Sequence, residues 1–390
     1  MKKQIYVVLF MNTVFSSVVS FSNIFINIFL WNQGKSLRTI GIYNLTVFTF
    51  LFIGYLFGSY VMKWTNSRMA LFLSALVLAT VFVFLLLQQE NIVQYVVPLG
   101  ALYGLATGMY FSGFNLFSVL LTNAENRQFF VGMEQLTERL SALVTPILFS
   151  YLIMWFSYTD TFRMILVLLV IQTLVSLFTP LYHSDFRLRS FNYRETWRQY
   201  KLILISILAF GFLQSVIQLA GSVLLFSFIQ QETVIGWLNT LFALVGIMTV
   251  IFLSRTFPVK RKLRIAYIGA ITTTLTVPLL LIEDKWFLIV FNLLVSIALP
   301  LLWVPVSVTH FGKIKQIACQ SDVVCEPSST IHYLMIREGM LSIGRASFYL
   351  LLILGFDFKH GLHLIPIILV SMMIPVFIFI FNRRMFLEQG

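Results

Sequence analysis

Charged side chains are scarce in this chain: Asp, Glu, Lys and Arg make up 11% of its 390 residues. So little charge cannot clothe a soluble domain of this length, which excludes a water-soluble globular protein. Cysteine is nearly absent, and Cys319 and Cys325 share one loop expected to lie in a reducing compartment, where a disulfide is disfavoured. They read as incidental thiols ahead of a redox or metal pair. Also missing are a Gly-x-x-x-x-Gly-Lys phosphate loop, a nucleophile with its base, and any assembled set of metal ligands. Those absences leave ATP hydrolysis, enzyme chemistry and a cofactor without support. Strict alternation of apolar and polar residues is absent too, which excludes a membrane barrel and leaves helices as the spanning structure.

What the chain has is apolar length, with 59% hydrophobic residues and 40 Phe. Its mean hydropathy is +0.90. One span needs about 20 apolar residues, so about twelve can be accommodated. Apolar runs fall at about 5–31, 38–62, 69–88, 93–121, 128–156 and 162–182, then at about 201–229, 233–254, 264–282, 286–311, 331–355 and 361–381. The start, Met1-Lys2-Lys3-Gln4, imitates a signal peptide, but its run continues to Trp31 without a small-residue cleavage site, so it reads as the first span.

The net charge of +12 could point to nucleic acid, but position decides against that partner. Lys2, Lys3, Lys63, Arg68, Arg127, the stretches Arg187 to Lys201 and Arg255 to Arg264, Lys313, Lys315, Arg383 and Arg384 fall at both termini and in every second loop. The opposite loops carry Glu90, Glu232 and Glu283-Asp284-Lys285. This is the positive-inside pattern of a multi-pass protein with cytoplasmic termini, and anionic membrane lipids are the expected contact. The loop polarity and lysine-rich start fit a bacterial plasma membrane.

The runs divide into six plus six: an N-terminal bundle over 1–183, a basic cytoplasmic linker over 184–200, and a C-terminal bundle over 201–390. Charge placement repeats between them. Glu134 lies about seven residues into the fifth run and Glu338 about seven into the eleventh, with Arg139 and Arg345 deeper in each. That is the mark of an internal parallel repeat.

Twelve helices in two halves, a basic central loop and cytoplasmic termini resemble the major facilitator superfamily over essentially the whole chain. The short motifs depart from it. Where the family's second loop reads Gly-x-x-x-Asp-Arg-x-Gly-Arg-Lys, Gly58 aligns, Met62 replaces the Asp, Lys63 stands for the Arg, and Thr65, Asn66 and Ser67 precede Arg68. Thr145-Pro146 occupies the place of the Gly-Pro pair that many family exporters carry in helix 5. The resemblance implies an all-α integral membrane fold with a central cavity lined by helices 1, 4, 7 and 10.

Those four runs carry uncharged polar stripes. Asn12, Ser16, Asn23 and Asn27 fall at offsets that keep one helical face. Tyr103, Thr107 and Tyr110 lie in run four, Gln214, Gln218, Gly221 and Ser222 in run seven, and Asn292, Ser296, Trp303 and Ser307 in run ten. Each residue alone reads as well as an interhelical hydrogen bond; four stripes on the four implied helices favour a substrate cavity. Gly100, Gly104 and Gly108 repeat the small-xxx-small spacing and read as packing. Pro300 and Pro305 can kink run ten. His310 and His332 read as interfacial residues ahead of proton relays.

Nearly all the intramembrane charge sits in two runs, and such residues are functional candidates by default. Glu134 and Glu138 share a face, so their carboxylates repel unless one is protonated or paired. Arg139 lies about 100° round the helix from Glu138 and is expected to meet a neighbouring helix. Glu338, Ser342 and Arg345 form one face with Glu338 and Arg345 two turns apart, a separation expected to need a bridging group. Arg337 is expected to point away and snorkel to the cytoplasmic surface. The cluster reads either as a proton-coupling and gating device or as a structural charge network between the halves.

The resulting expectation is a monomeric secondary active transporter of an amphipathic or weakly charged small organic solute. It would work by alternating access with protons as the coupling ion, and family resemblance favours export. A flippase for a lipid-linked molecule and a non-transporting membrane sensor or scaffold are the alternatives. The first predicts apolar lateral openings with arginines near a phosphate, the second a collapsed cavity.

Overall fold

The computed structural model describes residues 2–120, 127–183, 193–256, 262–282, 284–318, 327–354 and 364–388. The expected linker segment 184–192, both cysteines and Glu283 fall outside these residues, as do the side chains of Ser307 and His310. All secondary structure among the described residues is helical. In lipid an unpaired N–H or C=O costs several kcal/mol, so each apolar run closes its hydrogen bonds upon itself.

The first span is made of α1 (Lys2–Phe21), a π-helical turn (Ser22–Ile26) and α2 (Asn27–Gly34), and ends at Lys35 in the left-handed conformation. The second, α3 (Leu37–Trp64), starts at Ser36, whose hydroxyl accepts from the Thr39 N–H. Asn66 caps the third, α4 (Ser67–Gln88), in the same way through Met69. A 3-10 turn (Gln89–Tyr95) leads into the fourth, α5 (Val96–Leu120).

The fifth and sixth spans are the two arms of α6 (Arg127–Ser176), which Ser157 breaks at φ 81° and ψ 168°. The Phe149 and Phe162 ring centroids lie 4.9 and 6.2 Å from that of Phe21. They are therefore within about 11 Å of each other, where a continuous helix would hold them about 20 Å apart. The chain turns back at Ser157.

The seventh span repeats the build of the first: α7 (Tyr193–Leu219), a π-turn (Ala220–Leu224), α8 (Leu225–Ile229) and a left-handed Gln230. The remaining spans are α9 (Glu232–Thr256), α10 (Lys262–Thr276) with its 3-10 extension (Val277–Leu281), α11 (Lys285–Ala318), α12 (Pro327–Leu354) and α13 (Leu364–Glu388). Nine helices among the described residues are long and apolar enough to cross a bilayer. The division of α6, the charge-bearing α12, and α13 bring the spans to twelve. Residues 193–200 were expected in the linker and instead begin α7, where Thr196 is buried and the Tyr193 ring stands 6.3 Å from His332.

The expected glycine packing is present. A Cβ on Gly100, Gly104 or Gly108 of α5 would fall on the carbonyls of Tyr43, Val47 and Leu51 in α3, so the two backbones touch along three turns. Gly211 and Gly344 do the same for α7 and α12 through the Leu341 and Leu208 carbonyls. Between the halves α3 packs along α12 and α6 along α9, and the two π-turns lie against each other.

The repeat is visible in single residues. Asn44 stands nine residues beyond Lys35, and Asn239 nine beyond Gln230. Each donates to the carbonyl four residues earlier, at 2.9 and 3.0 Å, and to the preceding span, at Asn27 Oδ1 (2.7 Å) and the Gly221 carbonyl (3.2 Å). One asparagine in each half therefore ties a π-turned span to its neighbour.

Candidate functional site

A π-turn holds one residue more than an α-turn, rotates the faces beyond it, and recurs at functional sites. Beside the two touching π-turns lies a cavity of about 360 Å³. Asn23 of the first turn, Gln218, Ser222, Asn239, Asn292 and Ser296 give it polar walls, and Ile24, Ile217, Phe242 and Leu299 give it apolar ones. Both halves contribute. Arg139, half-buried on the first arm of α6, is the one ionisable residue on the wall among the described residues.

Around Gly221 most of the wall's polar hydrogens are already engaged. The Asn239 amide nitrogen donates to the Gly221 and Ile235 carbonyls, and that of Asn292 to the Leu288 carbonyl at 2.8 Å. The hydroxyls of Ser222 and Ser296 donate to the Gln218 and Asn292 carbonyls at 2.6 and 2.7 Å. Their oxygens remain as acceptors. Asn292 Oδ1 and Asn239 Oδ1 lie 3.0 and 3.9 Å from where a Cβ of Gly221 would stand, so glycine there keeps both oxygens reachable. Two wall residues add backbone acceptors. Pro146 and Pro300 lack the N–H that would bond the carbonyls of Ala142 and Ser296 four residues earlier.

Asn23, Gln218, Gly221, Ser222, Asn292 and Ser296, six of the residues read in the stripes of the cavity helices, line this cavity. The others are placed elsewhere. Asn12 donates to Thr137 at 3.3 Å and accepts from the Tyr110 hydroxyl at 3.1 Å. Asn27 takes the Asn44 bond. The single face expected of the first span is thus split three ways: Asn12 lies about 16 Å along the helix from Asn23, and the π-turn between Ser22 and Ile26 shifts the phase of Asn27. In α5, Tyr103, Thr107 and Tyr110 are buried. The Thr107 hydroxyl turns to its own Tyr103 carbonyl at 2.9 Å, and the Tyr110 ring stacks on Phe15 at 3.4 Å. Gln214 accepts from Arg345, and Trp303 stacks on Phe210 at 3.4 Å.

The α12 charges assemble differently from the expectation. Arg345 Nη1 and Arg337 Nη1 both reach Glu338, each at 3.7 Å. No bridge is needed, because the long arginine side chain spans the two turns. Arg337 turns inward to the carboxylate instead of pointing away, so each oxygen of Glu338, only 6% exposed, faces its own guanidinium. Arg345 also donates to Gln214 Oε1 of α7 at 3.1 and 2.9 Å and stands 5.3 Å over the Phe48 ring of α3. It therefore touches both halves. Glu134 is half-buried and Glu138 exposed, and among the described residues neither of them nor Arg139 forms an ion pair.

Three contributors escaped the sequence. Asn239 and Gly246 of α9 line the cavity, and Glu232 accepts from Asn32 at 3.5 Å and Tyr158 at 3.4 Å across the halves. The signal for Asn239 was its matching interval to Asn44. Gly246 and Glu232 carried none, because α9 was not among the helices expected to line the cavity.

Across residues 5–315 the chain matches the family model described as Major Facilitator Superfamily. The uncharacterized protein YqgE of Bacillus subtilis (strain 168) is 24% identical over 342 residues, covering 85% of this chain and 77% of that protein. An uncharacterized protein in the sodM 3' region of Geobacillus stearothermophilus is 34% identical over 135 residues, 35% of this chain and 63% of that protein. Among solved structures, a POT family transporter in complex with 5-aminolevulinic acid matches with a TM-score of 0.70 at 11% identity, over 98% of this chain and 96% of its own. The human organic anion transporter MFSD10 (TETRAN) matches with a TM-score of 0.65 at 13% identity, over 97% and 99%. At such identities the likeness is one of fold. With a family model covering most of its length and an architecture shared end to end with transporters, this chain belongs to the Major Facilitator Superfamily.

Proposed function

We propose that this secondary transporter moves an amphipathic or weakly charged small organic solute by alternating access, coupled to protons, across a bacterial plasma membrane with its termini in the cytoplasm. The observation that carries the reading is the cavity of about 360 Å³ beside the touching π-turns, walled by amides and hydroxyls from both halves. A site shared between two bundles changes access when one rocks against the other. The open cavity argues against the sensor or scaffold alternative. A recess lined by Tyr6, Val7, Phe10, Val175 and Phe178 is apolar, as a flippase would need, but among the described residues no arginine lines it.

Glu338 is the favoured coupling carboxylate, with Glu134 and Glu138 as partners on the equivalent span of the other half. Protonating Glu338 removes the charge that holds Arg345, which bridges α7 and α3, so proton binding would loosen a contact between halves. Export is the direction we assign, on family resemblance, and a monomer is the expected unit.

The test is full-length protein in proteoliposomes with an imposed pH gradient, offered a panel of neutral, anionic and cationic amphipathic solutes. We expect one class to accumulate against its gradient and to collapse the pH difference, and Glu338→Gln to uncouple the two. If no solute moves, and Glu134→Gln and Glu338→Gln leave every phenotype intact, the proposal fails.

A further inference from the structure

We infer that the cavity takes a monocarboxylate that also carries an N–H group, with the carboxylate on Arg139 and the N–H on the acceptors around Gly221. The inference deepens the transport reading and rests on it for the premise that this cavity holds the solute.

Two opposed kinds of unmet polarity are built into one wall. The first is Arg139, the sole ionisable wall residue and without an ion pair among the described residues. Glu138, the preceding residue, is not on the wall and attracts Arg139 electrostatically without reaching ion-pair distance. A guanidinium presents donors in a planar fork that a carboxylate meets with two parallel bonds, which a single carbonyl or hydroxyl of a neutral solute cannot do. The side-chain amides of Asn23 and Gln218 share this wall and have no hydrogen bond among the described residues, so they can complete the carboxylate's shell.

Around Gly221 the unengaged groups are mostly acceptors. Asn239 gives both amide hydrogens and Asn292 gives one to backbone carbonyls, and their Oδ1 atoms converge on Gly221. Pro300, on the same helix as Asn292, releases the Ser296 carbonyl. A solute bearing only an anion would desolvate these oxygens with few donors to meet them, and one bearing only donors would leave Arg139 to the attraction of Glu138 alone. A carboxylate plus an N–H satisfies both, while Ile217, Phe242 and Leu299 receive an apolar body. The volume lies at the low end for ligand pockets, which keeps the solute small.

The test measures thermal unfolding of the purified full-length protein with four matched probes: N-acetylphenylalanine, its neutral carboxamide, 3-phenylpropionate, which lacks the N–H, and phenylalanine. N-acetylphenylalanine or phenylalanine should stabilise the protein at concentrations at least about tenfold below those needed for the carboxamide or 3-phenylpropionate. Whichever of the two is preferred identifies the N–H as amide or ammonium. Arg139→Gln should erase the preference for acid over carboxamide, and Arg139→Lys should keep part of it. Gly221→Ala, whose methyl would press on Asn292 Oδ1, should reduce the benefit of the N–H while sparing that of the carboxylate. Equal response to acid and carboxamide, an undiminished preference in Arg139→Gln, or no response to any of the four overturns the inference. A protein that moves neutral or cationic solutes in proteoliposomes keeps the transport reading and loses this one.

Discussion

Glu338 holds two guanidinium groups with one carboxylate, and Arg345 divides its donors between that carboxylate and Gln214. Breaking a buried pair leaves its partner's charge uncompensated, which costs about 3–5 kcal/mol, against about 0–1 kcal/mol for an exposed pair. Glu338→Gln should therefore lower stability by about 3 kcal/mol, read as the unfolding midpoint in detergent. The double variant Glu338→Gln/Arg345→Gln should recover part of the loss, with a coupling of about 1–3 kcal/mol. Additive losses would mean that the three groups do not act as one cluster. The sequence disclosed these charges but not their pairing. Spacing along a helix gives the rise between Glu338 and Arg345 but not the reach of a side chain, and it says nothing of Gln214 on another span.

At the scale of elements, what was legible depended on whether a helix stays regular. The apolar runs located all twelve spans, and Gly100, Gly104 and Gly108 announced the α3–α5 contact, because a row of absent side chains has one physical use. The polar stripes were legible only in part. Asn23, Gln218, Asn292 and Ser296 reach the cavity, whereas Asn12 lies about three turns away along the helix and Asn27 follows a π-turn that leaves no mark in a pattern of apolar residues. Two contrasts test this account of packing. Gly108→Val sets its Cβ against backbone of α3 that cannot yield and should abolish the folded protein, measured as monodisperse yield. Gly246→Ala meets only the Ser296 carbonyl at 3.5 Å, an ordinary contact, so it should gain up to about 1 kcal/mol of helix propensity while narrowing the cavity and weakening solute binding. The bend in α6 offers a third measurement. Ser157 adopts a backbone region that only glycine occupies freely, at a cost of about 1–3 kcal/mol. Ser157→Gly should raise the unfolding midpoint by the equivalent of about 1 kcal/mol, and a fall would show that its side chain matters more than its backbone.

For the whole molecule, alternating access requires that some contacts between the halves break in every cycle. At the end of the bundle away from residue 1, Gly41 of α3 lies against Ile353 of α12, its Cβ position 2.9 Å from the Ile353 side chain, and Glu232 joins Asn32 to Tyr158. At the opposite end Tyr55, Val61 and Met62 of α3 meet Ile331, Leu334 and Met335 of α12. In the transport reading, rocking one half against the other to admit a solute from the first side opens the Gly41–Ile353 contact. Such proximity is close enough for a disulfide, whose Cβ atoms stand about 3.5–4.5 Å apart. In a background with Cys319 and Cys325 replaced by serine, Gly41→Cys with Ile353→Cys should therefore cross-link under mild oxidation. Counterflow in proteoliposomes should then fall to the level of empty vesicles and return on reduction, while oxidation leaves either single cysteine variant at its own reduced rate. A cross-linked protein that still carries solute at the reduced rate would mean that the halves do not separate along α3 and α12, and that access changes by movement within one bundle.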